Sequence, residues 1–422
     1  MIEPGSILAL DVEKPAAGGR MLARHKGQVV LVWGAIPGER IHARVERSTR
    51  SVLYAETTEV LSPSPDRRVA GADWRCGGNV LAHVAYERQL TLKAEIVQDG
   101  FGRIGRIPLA SLPLVMGSPE RGYRMRARLH ARDGRLGFYR EGTHELCPVE
   151  PTGQLLPETV AWLASAEAAL QRDHLTGLTG LEFAENITGS ERASRVDVHE
   201  GVDASRFGAL VSEEQTVTDV LRVKDEDPAS TLTLRRNVRS FFQGNRFLLE
   251  RLVRHVAALV PDGPVVDLYA GVGLFGLSIA AAGARDVTLV EGDGASGADL
   301  IANAEPLIER VRVHRTSVEA FLAAGAAAGP IRDTAGPLRG TRPTREATFI
   351  VDPPRTGISK DALAGIIRHA PARLVYVSCD VATLARDTRA LLDAGYVLEA
   401  LTGIDLFPNT AHVESVMVLS RA

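Results

Sequence analysis

Residues 264–283 read PVVDLYAGVGLFGLSIAAAG, an apolar run followed by a glycine-rich turn and a second apolar segment. This order predicts a buried strand, a tight turn and a helix, the first half of a strand–helix–strand unit. Glycines at 271 and 273 let the backbone approach a ligand closely, and the start of the helix follows them. The spacing GVGLFG at 271–276 also matches dinucleotide-binding turns, so the motif alone leaves that ligand class open.

Three further apolar runs follow toward the C-terminus: DVTLVEGD (286–293), ATFIVDPPRTG (347–357) and RLVYVSC (373–379). Strands that alternate with helices predict a parallel α/β sheet, whose ligand crevice lies at the carboxyl ends of the strands. We therefore place Glu291, Asp352 and Cys379 at this crevice. DPPR at 352–355 favours S-adenosylmethionine over a dinucleotide, because two prolines after the acid form a rigid wall beside the ligand. The Ala/Gly-rich piece 320–343 predicts a helix end and a mobile loop.

The bulk composition is that of a globular protein with more than one domain. The chain has 422 residues, 45% hydrophobic and 24% charged, and a formal net charge of −3. It shows no apolar run of membrane-spanning length and no basic, apolar leader at its N-terminus. Three cysteines are too few for a disulfide framework, which fits a reducing compartment. The sequence therefore predicts a cytoplasmic protein that does not enter a membrane.

Residues 1–62 predict a small β domain, which could form a barrel with a basic face. Short β-branched runs are separated by turn signals, and the stretch 20–50 has seven Lys or Arg against two acids. Such a face suits the backbone of a nucleic acid, and an ordinary solvated sheet surface explains it equally well. SPSPDRR at 62–68 predicts a linker to the next domain.

Residues 63–240 predict a central, mostly β domain. The stretch 121–140 contains seven arginines and one acid, and its alternation around Asp133-Gly134 predicts a hairpin. Residues 156–175 have the periodicity of an amphipathic helix.

Cys379 lies at the end of a predicted strand, with a predicted helix over 383–394 directly after it. A helix N-terminus favours a thiolate through its dipole and free amides, although a buried free cysteine is also common in cores. Glu414 begins a last apolar strand in HVESVMVL (412–419). A thiolate, a carboxylate and a methyl-donor crevice in one place indicate covalent methyl transfer.

Five segments together resemble the RNA 5-methyluridine methyltransferases, which act on tRNA or 23S ribosomal RNA. The segments occur in the family's order: FFQGN (241–245), DLYAGVG (267–273), VDPPRTG (351–357), SCDVATLARD (378–387) and HVESV (412–416). The N-terminal segment resembles the family's TRAM domain, an OB-like RNA-binding module, and the middle region resembles its central domain. The resemblance implies a TRAM barrel over 1–62, a central domain over 63–240 and a Rossmann-like methyltransferase domain over 241–422.

The resemblance also implies a mechanism and a set of site residues. Cys379 would add to carbon 6 of a uracil, and Glu414 would remove the proton from carbon 5 after methyl transfer. Cofactor contacts fall on Gln243, Tyr269, Glu291 and Asp352, and the glycine turn adds Gly271 and Gly273. Phe241 and Arg355 are candidates for substrate binding, with a core phenylalanine as an equally good explanation of Phe241. Leu274 stands where some members have Asn. The target base would have to leave its stack, and RNA would be the partner, with no obligate protein partner indicated.

The chain departs from the family at the four cysteines that hold an iron–sulfur cluster in many members. CGGN at 76–79 has Asn79 in a cysteine position, Ala70 stands where another ligand would be, and Cys147 is either the remnant of the last ligand or unrelated. Two cysteines cannot hold a four-thiolate cluster, so we expect neither a cluster nor a structural metal.

Two alternative functions stay open from the sequence. One is an RNA cytosine-C5 or amino-group methyltransferase, although Arg355 replaces the aromatic residue that amino-directed enzymes carry after Asp-Pro-Pro. The other is a non-catalytic RNA-binding or RNA-folding factor, which the loss of the cluster cysteines favours and the presence of Cys379 and Glu414 disfavours.

Overall fold

The computed structural model describes residues 2–224, 226–227, 230–283, 286–324 and 346–421. Its N-terminal part is a closed five-stranded barrel in the order β1-β2-β3-β5-β4. The strands are β1 (Ile7–Pro15), β2 (Met21–His25), β3 (Gln28–Trp33), β4 (Arg40–Ser48) and β5 (Val52–Ser62). Lys26 and Gly27 both have positive φ in the β2–β3 turn, as a two-residue hairpin requires. The predicted OB-like barrel is therefore confirmed.

The segment predicted as a linker packs on the barrel. Arg67 forms an ion pair with the fully buried Glu39 carboxylate, at 2.6 Å, and donates a hydrogen bond to the carbonyl of Gly34. Burying Glu39 without Arg67 would leave an uncompensated charge in the barrel, so this contact fixes where the chain leaves it.

The central region begins with a helix, α1 (Tyr86–Gly100), and a short strand, β6 (Val115–Met116). A five-stranded antiparallel sheet follows, in the order β11-β10-β7-β8-β9, with a separate two-stranded sheet of β12 and β13. The elements are β7 (Arg126–Arg132), β8 (Arg135–Tyr139), β9 (Leu146–Cys147), α2 (Pro157–Arg172), β10 (Leu178–Glu185), β11 (Arg192–Val198), β12 (Thr216–Arg222) and β13 (Thr231–Asn237). The structure has the predicted hairpin at Asp133-Gly134 and the predicted amphipathic helix as α2.

The C-terminal part is an eight-stranded mixed sheet in the order β16-β15-β14-β17-β18-β20-β19-β6, with helices between its strands. Its elements are α3 (Leu249–Ala258), β14 (Val265–Leu268), α4 (Leu274–Ala282), β15 (Val287–Glu291), α5 (Gly294–Ala304), β16 (Val311–Arg315), α6 (Val318–Ala324), β17 (Thr348–Val351), α7 (Lys360–His369), β18 (Arg373–Ser378), α8 (Val381–Asp393), β19 (Tyr396–Ile404) and β20 (Glu414–Arg421). Strands β14 to β18 are parallel, and β20 is antiparallel to β18 and β19. The predicted Rossmann-like domain is confirmed.

The strand order reverses at β14, which has β15 on one side and β17 on the other. The carboxyl ends of these strands therefore open into a crevice at the switch point. Gly276 of α4 lets the helix lie close to the sheet, because a Cβ there would be 2.2 Å from Leu289 and 2.8 Å from Asp267. The loop predicted within 320–343 lies outside the described residues from 325 onward.

The central region and the C-terminal sheet are joined through α1 and β6. β6 pairs in parallel with the end of β19, at Gly403 and Ile404, and α1 packs against β6 and α8. The division of the chain at residues 62 and 240 stays a prediction. A helix and a strand that precede residue 240 nevertheless form part of the C-terminal layer.

Cys76 and Cys147 form a disulfide, with their Cα atoms 5.8 Å apart. This corrects the expectation from the cysteine count, because the loop that carries Cys76 and strand β9 meet in one apolar core. The bond joins positions 71 residues apart, a proximity that sequence spacing does not reveal. Among the described residues, no group of three His, Cys, Asp or Glu side chains is arranged to hold a metal. No helix in the described part of the chain combines the length and the apolarity needed to span a bilayer.

Candidate active site

Asp267 is the penultimate residue of β14, next to the glycine-rich turn, and it is fully buried. Its Oδ2 accepts a hydrogen bond from the amide of Gly276 at 2.8 Å, whereas its Oδ1 has no partner. Burial raises the pKa of Asp267 to about 8, against the effect of the Gly276 amide. Asp267 opens the motif DLYAGVG but was not among the predicted site residues. An acid near the end of the first strand, just before a glycine turn, is the signal that could have identified it.

The turn after Asp267 has an unusual backbone. Tyr269 has φ 62°, a left-handed conformation that is rare for a residue with a side chain, and Gly271 and Gly273 have φ 58° and 99°. A Cβ at Gly271 would meet no atom within 4 Å, so its α-carbon faces open space. Strained residues of this kind cluster at ligand sites, which fits the predicted role of the turn.

Glu291 ends β15 beside this turn and is 9% exposed. Its carboxylate accepts hydrogen bonds from the amide of Gly271 at 2.7 Å and from the amide of Asp293 at 2.6 Å. Burial raises the pKa of Glu291, and these amides oppose the shift. Each carboxylate oxygen keeps a further lone pair, so Glu291 can still accept hydrogen bonds from hydroxyl groups of a ligand.

Asp352 follows β17 on the other side of β14, as predicted. Burial raises the pKa of Asp352 well above its ordinary value, and the nearby Glu414 raises it further. The buried Gln243 side chain lies beside the Asp352 carboxyl and opposes this shift. Gln243 comes from the segment before α3, so the structure brings a distant predicted residue to this side of the crevice.

Cys379 and Glu414 come together through strand register. Ser378 of β18 pairs with Ser415 of β20 in an antiparallel ladder, so Cys379 and Glu414 occupy the next rung. Glu414 is 3% exposed, and Cys379 is a half-buried free thiol. Burial raises the pKa of Glu414 and the exposed Arg355 lowers it.

The expected preference of Cys379 for the thiolate is wrong in the free protein. Burial raises the pKa of Cys379 to about 11, with Glu414 adding to the shift and Arg355 opposing it. The helix α8 does begin at Val381, but its cap is the acid Asp380, whose side chain accepts a hydrogen bond from the amide of Thr383. A capping carboxylate at this end offsets the positive end of the helix dipole.

Exposed aromatic and basic side chains occur in the two segments that carry Gln243 and Asp352. Phe241 is 61% exposed, which excludes the alternative that it is a core residue. Phe247, 44% exposed, is a second aromatic side chain that sequence analysis did not select. Leu274, where some family members have Asn, is the first residue of α4 and lies in the apolar core.

The described crevice fits the predicted cofactor, S-adenosylmethionine. Asp267 offers an unpartnered buried oxygen, the space above Gly271 is open, and Glu291 keeps lone pairs for hydroxyl groups. Asp352, Cys379 and Glu414 stand on the other side of β14, where a substrate would meet the cofactor.

Comparisons with known proteins show which family the chain resembles. The family model described as tRNA (uracil-5-)-methyltransferase matches residues 182–422, and the TRAM domain model matches residues 3–58. A 23S rRNA (uracil(1939)-C(5))-methyltransferase of Pseudomonas putida is 31% identical, over 96% of this chain and 92% of that protein. An uncharacterized RNA methyltransferase of Thermosynechococcus vestitus is 30% identical, over 100% of this chain and 99% of that protein.

A solved structure of similar fold is the Pyrococcus abyssi tRNA (uracil-54, C5)-methyltransferase in complex with S-adenosyl-L-homocysteine. It has a TM-score of 0.69 and 22% identity, covering 97% of this chain and 99% of that chain, and at this identity the likeness concerns the fold alone. The family model spans more than half of the sequence, and the relatives align along nearly all of it. The chain therefore belongs to the tRNA (uracil-5-)-methyltransferase family.

Proposed function

We propose that this protein transfers a methyl group from S-adenosylmethionine to carbon 5 of a uridine in RNA, through a covalent bond between Cys379 and carbon 6. The observation that carries the proposal is the register of the β18–β20 ladder: Ser378 pairs with Ser415, so Cys379 and Glu414 lie opposite each other on the next rung, at the carboxyl end of β18. A nucleophile and a base on opposite sides of one short rung can act on adjacent atoms of the same base.

The residues of the crevice would hold the cofactor. Glu291 would accept hydrogen bonds from ribose hydroxyls, and Tyr269, Gly271 and Gly273 would shape the turn against it, with Gln243 and Asp352 on the substrate side. S-adenosylmethionine supplies an electrophilic methyl group on a sulfonium sulfur.

The first task of the protein is to make Cys379 a nucleophile. Because burial raises the pKa of Cys379 to about 11, the thiol must lose its proton to solvent before it reacts. Arg355 lowers that pKa, and any positive charge bound in the crevice would act in the same direction. The thiolate adds to carbon 6 of uracil, and the electron pair of the 5,6 double bond moves toward oxygen 4, which makes carbon 5 nucleophilic.

Glu414 would complete the reaction. After carbon 5 has taken the methyl group, the Glu414 carboxylate removes the proton from that carbon. The electron pair of this C–H bond restores the 5,6 double bond, and the bond between sulfur and carbon 6 breaks to release Cys379. A buried carboxylate with a raised pKa is a stronger base than one in water, which suits a carbon acid.

The RNA would approach over the rim of the crevice. A uracil must leave its helical stack to reach a half-buried thiol, and the exposed Phe241 offers a surface on which a base can stack. Arg355 would contact the base or a nearby phosphate. In the barrel, Arg47 lies over the Tyr54 ring at 4.1 Å, a pair that also suits a nucleic-acid surface. Ribosomal RNA and transfer RNA are the two substrate classes to test, and both would place the protein in the cytoplasm.

Nucleoside mass spectrometry tests the proposal directly. The purified protein is incubated with S-adenosylmethionine and unmodified 23S or tRNA transcripts, beside a Cys379→Ala variant. We expect 5-methyluridine from the wild type and none from Cys379→Ala. A Cys76→Ser/Cys147→Ser variant is the matched control, because it removes the other two cysteines and leaves the crevice thiol.

The alternatives give different products. Methylated cytidine in place of methylated uridine would overturn the substrate assignment. RNA binding without any methylated nucleoside, from both transcripts, would indicate a non-catalytic RNA-binding protein.

A further inference from the structure

Glu414 is the first residue of β20, which lies between β18 and β19 in the sheet. Cys379 follows β18, and β19, on the opposite side of β20, leads into a buried loop. Ile404, the last residue of β19, pairs with Glu414 in the β19–β20 ladder. Residues 405–413, here called the return loop, follow Ile404 and lead back to Glu414. The position of the Glu414 carboxylate along β20 therefore depends on how the return loop is held.

A charged residue of the central region anchors the start of the return loop. Lys93 of α1 and Asp405 are both fully buried and form an ion pair. Lys93 also donates a hydrogen bond to the carbonyl of Phe407 at 3.0 Å. Tyr86 of the same helix donates to the second oxygen of Asp405 at 2.9 Å, and the amide of Ser118 donates to the Tyr86 hydroxyl at 2.7 Å.

A second residue of α1 holds the middle of the return loop. The buried Gln89 side chain donates to Oδ1 of Asn409 at 2.9 Å and accepts from the amide of Asn409 at 2.9 Å. Asn409 has φ 64°, and Arg68 donates to the same Oδ1 at 2.9 Å. The amide of Leu81 donates to the Asn409 carbonyl at 2.8 Å. These contacts hold the loop backbone in a conformation that a residue with a side chain rarely adopts.

The segment that carries Gln243 contacts the same loop. Asn245, two residues after Gln243, donates hydrogen bonds to the carbonyl of Leu406 at 3.1 Å and to the Ser118 hydroxyl at 2.9 Å. The return loop is thus fixed between α1 and the segment that carries Gln243.

We propose that α1 positions the catalytic base: the Lys93–Asp405 ion pair and the Gln89–Asn409 hydrogen bonds hold the return loop so that Glu414 meets the proton on carbon 5. This inference rests on the function proposed above. A buried ion pair often contributes less to stability than apolar side chains of the same volume, so stability alone does not account for two fully buried charges at this point. A role in fixing geometry does account for the buried charges of Lys93 and Asp405, because Asp405 follows the strand that pairs with Glu414.

The proposal separates two steps of the reaction. Cys379 follows β18, on the other side of β20 from the return loop, and lies next to the cap of α8. Loosening the return loop should therefore leave addition and methyl transfer close to wild type. Removal of the carbon-5 proton should slow, and the methylated RNA should stay bonded to Cys379.

The experiment uses the full chain and the transcript, 23S or tRNA, that the wild type methylates, prepared with uridine tritiated at carbon 5. Single-turnover reactions follow transfer of a labelled methyl group, release of tritium, and protein–RNA adducts that survive SDS. The test variant is Lys93→Met/Asp405→Asn, which removes both charges and keeps an acceptor for Tyr86. Glu414→Gln is the reference for a lost base.

We expect the double variant to release tritium about 100-fold more slowly, since a misplacement of about 1 Å can cost that much in rate. Methyl transfer should change little, and adduct should accumulate as it does in Glu414→Gln. Leu129→Ala, in the core of the central sheet and away from the loop, is the control for lost stability. Leu129→Ala should not slow tritium release more than it slows methyl transfer.

Asn409→Gly is a milder variant for the case in which the double variant does not fold. Glycine tolerates the positive φ, and the change removes the side-chain amide whose Oδ1 accepts from both Gln89 and Arg68, while the backbone contacts of residue 409 can remain. We expect a selective slowing of tritium release by about tenfold. Equal slowing of methyl transfer and tritium release, or no change in either, overturns the inference. If Glu414→Gln itself gives no adduct, the proposed role of Glu414 is wrong, and the inference falls with it.

Discussion

Asp405, the first residue after β19, and Glu414, the first residue of β20, are both buried carboxylates, and their surroundings differ. Lys93 forms an ion pair with the Asp405 carboxylate, and Tyr86 donates a hydrogen bond to it, so protein groups compensate the negative charge of Asp405. Glu414 lies near a second acid, Asp352, and the cation that acts on it, Arg355, is exposed to solvent. Burial therefore raises the pKa of Glu414.

The difference separates a carboxylate that fixes geometry from one that is available for chemistry. A buried carboxylate that has an ion-pair or hydrogen-bond partner on each of its oxygens is held rigidly in place. A buried carboxylate whose charge is only partly compensated binds a proton readily, as a general base must. Asp405 lies one residue beyond Ile404, which pairs with Glu414, so the rigid Asp405 can fix the position of the reactive Glu414.

Removing the cation from the buried Lys93–Asp405 ion pair should have the largest effect on stability. Lys93→Met leaves Asp405 buried without a cation, and we expect the free energy of unfolding to fall by about 3–5 kcal/mol. Urea denaturation of the wild type and the variant measures it. Lys93→Met/Asp405→Asn should lose less, because no uncompensated charge remains. A single variant as stable as the wild type would contradict the assignment of this pair.

Neutralising the reactive carboxylate should have the opposite effect. Because burial raises the pKa of Glu414 in the folded state, its contribution to stability is full below its unfolded pKa, about 4.3, and is lost as the pH rises through the folded pKa. Glu414→Gln does not titrate, so it should become more stable than the wild type as the pH rises, by about 1–3 kcal/mol at alkaline pH. Urea denaturation across pH tests this.

Asp267 provides an internal reference for that measurement. Its pKa is also raised, to about 8, and it is present in both proteins, so it lowers the stability of both over the same pH range. Only the difference between wild type and Glu414→Gln reports on Glu414. A difference that does not change with pH would show that burial leaves its titration unaltered.

The sequence predicted the reactive side of the site better than the side that supports it. Asp352 and Cys379 each end an apolar run, and parallel strands bring such ends to one edge, so their place could be inferred without a structure. Glu414 could be assigned to a neighbouring strand. Its rung opposite Cys379 depends on the antiparallel register of β20, which no local pattern specifies.

The supporting contacts could not be predicted, because they join distant parts of the chain. Lys93 and Asp405 are 312 residues apart, and each looks like an ordinary surface charge in its own segment. The raised pKa of Cys379 has the same origin, since burial by other segments outweighs the helix that local sequence does reveal. Whether Phe241 packs inside or faces solvent was equally a matter of tertiary structure.

The exposed Phe241 allows a test with a smaller expected effect, in which neither Asp405 nor Glu414 is changed. Phe241→Ala should weaken RNA binding by about 1–3 kcal/mol, or about 5- to 150-fold in Kd, if a base stacks on this ring. Filter binding measures the loss, with the unmodified form of the transcript that the wild type methylates. Phe247→Ala, an exposed phenylalanine six residues away, is the matched control. Equal losses in both variants would indicate general apolar contact in place of a specific stacking site.

The smallest effect should come from Arg355, the cation that acts on both reactive groups. Arg355 lowers the pKa of Cys379, and Glu414 raises it. Because Cys379 is the free cysteine, its alkylation by iodoacetamide, followed by intact mass, reports the thiolate fraction without RNA. Arg355→Met should raise the pKa of Cys379 and slow alkylation at neutral pH by up to about tenfold, which corresponds to one pKa unit.

Salt and a second substitution decide whether this effect is electrostatic. Arg355 is exposed, so high salt should bring the wild type toward the rate of Arg355→Met, while the variant itself changes little. Glu414→Gln should speed alkylation, because it removes the carboxylate that disfavours the thiolate, whereas Asn409→Gly, which leaves every charge in place, should not. If Arg355→Met and Glu414→Gln shift the rate in the same direction, the change reflects access to the thiol, and the contrast between the paired and the reactive carboxylate does not extend to Cys379.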